Sequence, residues 1–367
     1  MLTSFRAEQS RAEQSRAEQS RDYGLDVLRV LAMYSIFIGH YLQHGGVMNE
    51  SVIPYGSFNY YVTWIIWSFW RFAVNVFPII SGYFLIYKIE FKWHKVLAIV
   101  GPVIFYSYLY VFISIFIFDI ELSTKEIIKF LLPVKSNVYW FISAYIGMYI
   151  FHPYLNRLAK NLSKNEYRNF LLLSGLLLSV YSFTGFGIES PFGTTGDNML
   201  WLIQMYFVGG YIRVYNITFN KPFVKYVASS LFLFVLYILL RSSGSEIITK
   251  VANDLFRNNS PILVFSSICM FVGFKKLKIK NTIFLNFIKM ISPLMFGVYL
   301  IHEHPVLFMH LNIWQDLVKV NKFCEEPYWC LYTLYNSMLF FLVAIIMELI
   351  RTHVFKTLKF MWSGKNQ

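Results

Sequence analysis

The chain has 367 residues, of which 56% are hydrophobic, 20% aromatic and only 14% charged, with a mean hydropathy of +0.49. A soluble domain carries about a quarter charged residues, so this composition excludes one and points to a polytopic membrane protein. The net charge of +13 lies in short basic clusters between apolar stretches, a pattern of cytoplasmic loops that argues against a nucleic-acid partner.

The N-terminal leader reads Arg-Ala-Glu-Gln-Ser three times over residues 6–20, and Arg21 opens a fourth copy. It has no apolar face, so residues 1–22 are expected to form a polar leader without a packed core. The five-base unit AGAGC, repeated, reads AGA GCA GAG CAG AGC and encodes this pentapeptide in order. Five is not a multiple of three, so gain or loss of one unit shifts the reading frame. The repeat is therefore expected to be a slippage switch, giving phase-variable expression. No cleavable signal peptide is expected, because the first apolar stretch lacks a small-residue cleavage site after it.

Ten apolar stretches follow: 25–42, 61–87, 96–118, 139–155, 170–186, 199–215, 223–240, 261–274, 284–301 and 330–350. They predict an all-α protein of about ten transmembrane helices, with a membrane domain over 23–355 and a cytoplasmic tail over 356–367. With the N-terminus inside, cytoplasmic segments hold 24 of the 33 Lys and Arg, outer loops hold eight, and Arg71 falls within a span. That asymmetry predicts both termini on the cytoplasmic side. Of the three cysteines, Cys269 reads as a core residue. Cys324 and Cys330 flank the last span, where a disulfide is feasible on an oxidising face.

Four constellations carry polar chemistry. In the first span, Arg29 and His40 are eleven positions apart, three helical turns plus about 20°, so they share a face about 16 Å apart along the axis. Ionisable groups inside a membrane span are functional by default, although Arg29 could be a snorkelling anchor and His40 an interfacial residue. Arg71 lies alone in the second apolar stretch and must face a polar cavity or a carboxylate; Ser81-Gly82 beyond it fits close helix packing. Trp140 opens the fourth span, where an aromatic girdle is the simple explanation. The ninth ends in Tyr299, His302, Glu303 and His304. On a helix His302 and His304 point nearly opposite ways, so no metal site is expected.

Together these segments resemble the membrane-bound acyltransferase-3 family of bacterial O-acyltransferases. The resemblance rests on Arg29 with His40 after ten intervening residues, the stretch from Arg71 to Ser81-Gly82, Trp140-Phe141, and Tyr299-Leu300-Ile301-His302. It covers about residues 22–350. It implies transfer of an acyl group, usually acetyl, from cytoplasmic acyl-CoA to a sugar hydroxyl of a surface glycan or its lipid-linked form. The protein would then sit in the bacterial inner membrane among lipids, with acetyl-CoA as donor substrate and no bound cofactor. Family members often carry paired arginines near the third span, where this chain has Lys88, Lys92, His94 and Lys95. Lysine binds phosphate as a point charge without arginine's bidentate fork.

Imidazole titrates in the useful range, so His40 is expected to be the general base on the acceptor hydroxyl. Arg29, Lys88, Lys92 and Lys95 are expected to hold the CoA phosphates, and Arg71 to stabilise the oxyanion or orient His40. Tyr299, His302, Glu303 and Trp140 are expected to border the acceptor. A covalent acetyl-His40 is an open alternative route. The rival from another class is a polysaccharide flippase or polymerase-like membrane protein, equally apolar and basic.

Overall fold

The computed structural model describes residues 21–182 and 195–364, with the backbone alone over 359–364. The helices run α1 (Tyr23–His44), α2 (Phe58–Trp70), α3 (Ala73–Leu85), α4 (Trp93–Phe116), α5 (Thr124–Leu131), α6 (Trp140–Asn161) and α7 (Lys164–Gly175). A π-helical stretch, Leu176–Tyr181, extends α7. Then come α8 (Met199–Val214), α9 (Pro222–Arg241), α10 (Glu246–Asp254), α11 (Pro261–Lys275), α12 (Thr282–Ile291) and α13 (Met295–His302). The short α14 (Pro305–Met309) and α15 (Ile313–Asp316) precede the long α16 (Trp329–Gly364). No strand occurs among the described residues.

All ten predicted apolar stretches fall on helix, although the end of the fifth, 183–186, lies outside the described residues. Among the described residues, six helical segments are long and apolar enough to cross a membrane: α1, α2 with α3, α4, α9, α12 through α13, and α16. α8 and α11 are apolar but shorter. Two stretches read as single helices are interrupted. Pro293 has no N–H for the carbonyl four residues back, and the chain tightens into a 3₁₀ turn over Ser292–Leu294 between α12 and α13. The other break lies between α2 and α3, where Arg71 caps α2. At the far end α16 carries helix through residues 356–364, within the stretch expected to be a tail.

The Asp22 side chain caps α1 by accepting the Leu25 amide at 3.1 Å. α1 buries residues around most of its circumference, from Leu25 and Leu28 through Phe37 and Ile38 to Leu42. Such a helix belongs in the middle of a bundle. It packs against α2, α3, α11, α12, α13 and α16. By contrast, α9 and α16 leave large apolar residues such as Phe232, Leu239, Leu331 and Tyr335 exposed, as helices facing lipid do.

Between apolar helices in lipid, close van der Waals packing rather than water exclusion drives association. Glycines permit it where α3 meets α8. A Cβ on Gly82 would lie 1.8 Å from the Tyr206 carbonyl oxygen, and one on Gly209 would lie 2.0 Å from that of Ile79. A buried charge cluster joins α16 to α4 and α13. Glu348 accepts hydrogen bonds from the Tyr106 hydroxyl (2.6 Å) and from Arg351 Nε (2.7 Å), and its carboxyl fills the space a Gly297 side chain would need.

Candidate functional site

A cavity of about 830 Å³ runs along α1. Asp26, Arg29, Met33, Ile36, His40, Gln43 and His44 line it, at spacings that keep one helical face turned inward. The opposing wall comes from α3, α6, the 3₁₀ turn and α13. Arg29 and His40 therefore open into one space, near its two ends.

At the Arg29 end, Asp26 is almost fully buried and bridges two guanidinium groups. Arg29 donates to it at 2.5 Å and Arg21 forms a second ion pair with it. The Ser292 hydroxyl, in the turn made by Pro293, also donates to Asp26 at 3.2 Å. One carboxylate between two arginines leaves a net positive mouth. Lys88 and Lys92, on the connection from α3 into α4, and Lys95, in the first turn of α4, are exposed, and none lines the cavity. Leu85 and Ile99, on either side of that connection, do. Arg21 and Asp26 are thus the mouth residues that sequence reasoning did not assign, although an Asp three residues before Arg29 on a helix is a legible pairing.

At the other end, four side chains meet. His40 Nδ1 lies 2.8 Å from Glu303 Oε2 and 3.1 Å from His302 Nε2. His44 Nε2 lies 3.1 Å from the same Glu303 oxygen, and its ring stacks on Phe308 with centroids 4.0 Å apart. The protons follow from the partners. His302 Nδ1 is 2.6 Å from the Val298 carbonyl oxygen, which can only accept, so His302 carries its proton there. Its Nε2 then offers a lone pair to His40. With two acceptors facing it, His40 Nδ1 must hold the proton, and a neutral His40 ring keeps its lone pair at Nε2. Burial of Glu303, just past the end of α13, favours its neutral acid. The imidazoles of His40 and His44 outweigh that and hold its carboxyl well below the ordinary range.

His304 takes no part. Its Nε2 lies 3.3 Å from Ser107 Oγ and its ring stacks on Tyr110. Burial, helped by the Lys129 charge, pushes its imidazole down to about 3.

Arg71 also faces the cavity. Its Nε donates to the Phe256 carbonyl oxygen at 2.8 Å, and its guanidinium lies over the Trp67 ring. Asp197 and Asn258 share that wall, with Asn258 Nδ2 donating to Asp197 Oδ1 at 2.5 Å. Asn75 and Trp201 extend the chain: Trp201 Nε1 donates to Asn75, and Asn75 donates to the Asn258 carbonyl, both at 2.8 Å. Trp140, Tyr299 and Ser81 line the same space, and the buried Tyr299 hydroxyl has no hydrogen-bond partner among the described residues. Ser81 Oγ meets the Tyr145 hydroxyl at 3.1 Å, while neighbouring Gly82 serves the α3–α8 contact. The three cysteines are free thiols, Cys324 Sγ lying 3.6 Å from the Val52 carbonyl oxygen.

The arrangement offers a carboxylate-held imidazole, a nearby guanidinium and a buried free hydroxyl at one end of a channel with a cationic mouth. Those are the parts of a proton-transfer and oxyanion-stabilising site. No curated protein and no solved structure matches the chain. A family model for an acyltransferase domain, that of acyltransferase-3, matches residues 22–362. Covering nearly the whole chain, this match establishes that the protein, with its several membrane-length apolar helices, belongs to the acyltransferase-3 family.

Proposed function

We propose that this protein transfers an acyl group, acetyl in the first instance, from cytoplasmic acyl-CoA to a hydroxyl of a cell-surface polysaccharide or its lipid-linked precursor. The observation that carries this reading is the single cavity joining the Arg21–Arg29 mouth to a His40 ring held at Nδ1 by Glu303. The CoA phosphates pair with the two arginines, with Lys88, Lys92 and Lys95 supplying a wider positive field. About 16 Å of helix rise separates Arg29 from His40, which suits an extended pantetheine arm.

His40 Nε2 takes the proton of the acceptor hydroxyl as its oxygen attacks the thioester carbonyl. Arg71 stabilises the oxyanion of the tetrahedral intermediate. Collapse breaks the C–S bond, and the proton passes from His40 to the departing thiolate, leaving ester and free CoA. Tyr299 and Trp140 border the acceptor. His302 and Glu303 act on it chiefly by fixing the His40 tautomer. In this reading the chain lies in the bacterial inner membrane with both termini cytoplasmic, and the leader repeat makes expression phase-variable. Sequencing the locus should find a five-base period across codons 6–20; codons without that period would remove the switch.

The test is transfer of label from radiolabelled acetyl-CoA to surface polysaccharide in membranes containing the protein. Label should appear in the glycan, and Arg29→Ala should raise the half-saturating donor concentration about tenfold or more while the limiting rate holds. No labelling, together with loss of the whole glycan from cells lacking the gene, would favour the flippase or polymerase instead.

A further inference from the structure

The spacing of His302 and His304 argues against a metal site, but the fold replaces His304 with a partner from the other end of the chain. His40 Nδ1, His302 Nε2 and a Glu303 carboxylate oxygen all lie within 4.8 Å of one another. His40 Nδ1 stands 2.8 Å from the Glu303 oxygen and 3.1 Å from His302 Nε2. A tetrahedral ion with bonds of about 2.0–2.2 Å holds its ligand atoms about 3.3 Å apart, so little movement would admit one. The groups behind these ligand atoms also suit metal. The His302 Nδ1–H bond to the Val298 carbonyl turns the Nε2 lone pair toward the cluster, the usual way a ligating imidazole is oriented. His44 Nε2 lies 3.1 Å from the Glu303 oxygen that faces His40 and holds it in place.

We propose that His40, His302 and Glu303 form a binding site for a divalent transition-metal ion of the Zn²⁺ type, and that its occupancy shuts off acyl transfer. Two imidazoles and a carboxylate suit zinc and its neighbours rather than Mg²⁺ or Ca²⁺, which prefer all-oxygen shells. The inhibitory consequence rests on His40 being the base. An ion on Nδ1 displaces that proton to Nε2, the ring staying neutral, so the lone pair that would accept the hydroxyl proton is gone. Free zinc would thereby act as a brake on a site that works without it.

Binding is measured without donor or acceptor, so it stands or falls separately from the acyltransfer reading. The full-length protein, purified in detergent on a tag lacking histidine and stripped with chelator, is dialysed against Zn²⁺ and the bound ion counted. One ion per chain is expected, weakened at least about tenfold to a hundredfold in Glu303→Gln and in His302→Gln, and unaffected in exposed His94→Gln. Wild-type protein loaded with Co²⁺ should give the intense visible bands of a four-coordinate ion, a readout that needs no variant to fold. Absence of saturable binding, or the same affinity in both ligand variants, overturns the site. Saturable binding that leaves label transfer unchanged overturns the brake alone.

Discussion

His40 differs from an ordinary interfacial histidine because both neighbours on its Nδ1 side are acceptors, which commits the Nε2 side to accepting a proton. Glu303→Gln keeps the volume and removes the anion. The glutamine amide can present either its oxygen or its NH₂ to His40, so the tautomer is no longer dictated. The limiting rate should fall by about 10²–10⁴ with the donor half-saturation nearly unchanged, read from initial rates of label transfer. An unaltered rate would make Glu303 a packing residue. Arg29 and His40 were legible together because helical periodicity needs only local spacing. Glu303 was legible as a polar residue at a span's end, but not as the partner of His40, since 263 positions separate them and only the packing of α13 on α1 joins them. His44 was visible four residues after His40 and went unassigned. For Lys88, Lys92 and Lys95 the reverse holds: a basic cluster beside a mouth is evident in sequence, whereas which cations line the cavity itself depends on the path of the backbone between Leu85 and Ile99.

At the scale of elements, the two interrupted spans supply functional groups that unbroken helices would aim elsewhere. The turn at Pro293 brings Ser292 to Asp26, and the break after Trp70 leaves Arg71 bonded to the Phe256 carbonyl. Proline made the first foreseeable. Nothing in the apolar run around Arg71 marks the second, because its acceptor is a backbone carbonyl far along the chain. The glycine contact between α3 and α8 holds the wall that carries Ser81 and Arg71's neighbour Val74. Gly82→Ala forces a methyl to within 1.8 Å of the Tyr206 carbonyl oxygen, so the helices must separate. Overpacking of this kind costs about 1–3 kcal/mol, occasionally more. A lower melting temperature in detergent and reduced label transfer are expected from that single methyl. Gly101→Ala, where the added Cβ meets nothing within 4 Å, should leave both unchanged. Equal behaviour of the two variants would show that close approach does not matter.

At the scale of the molecule, composition pointed to a membrane protein, and the lengths of the apolar stretches located each described helix long and apolar enough to cross a membrane. The number of crossings was less legible: of the ten predicted stretches, those on α6, α7, α8 and α11 are not among the six described segments long and apolar enough to cross, and hydropathy does not distinguish a short buried helix such as α8 or α11 from a complete span. The cavity was not legible as a volume. It exists because α1, hydrophobic on most sides, reserves one face for Asp26, Arg29, His40 and His44, and because α3, α6 and α13 stand around that face. The role proposed for this cavity is acyl transfer with His40 as base. It is tested most directly by NMR of surface polysaccharide from cells making the wild-type protein or His40→Gln at equal membrane abundance. O-acetyl proton signals are expected in the first and absent in the second, with the glycan itself present in both. Acetylated glycan in the His40→Gln cells would remove His40 from the reaction.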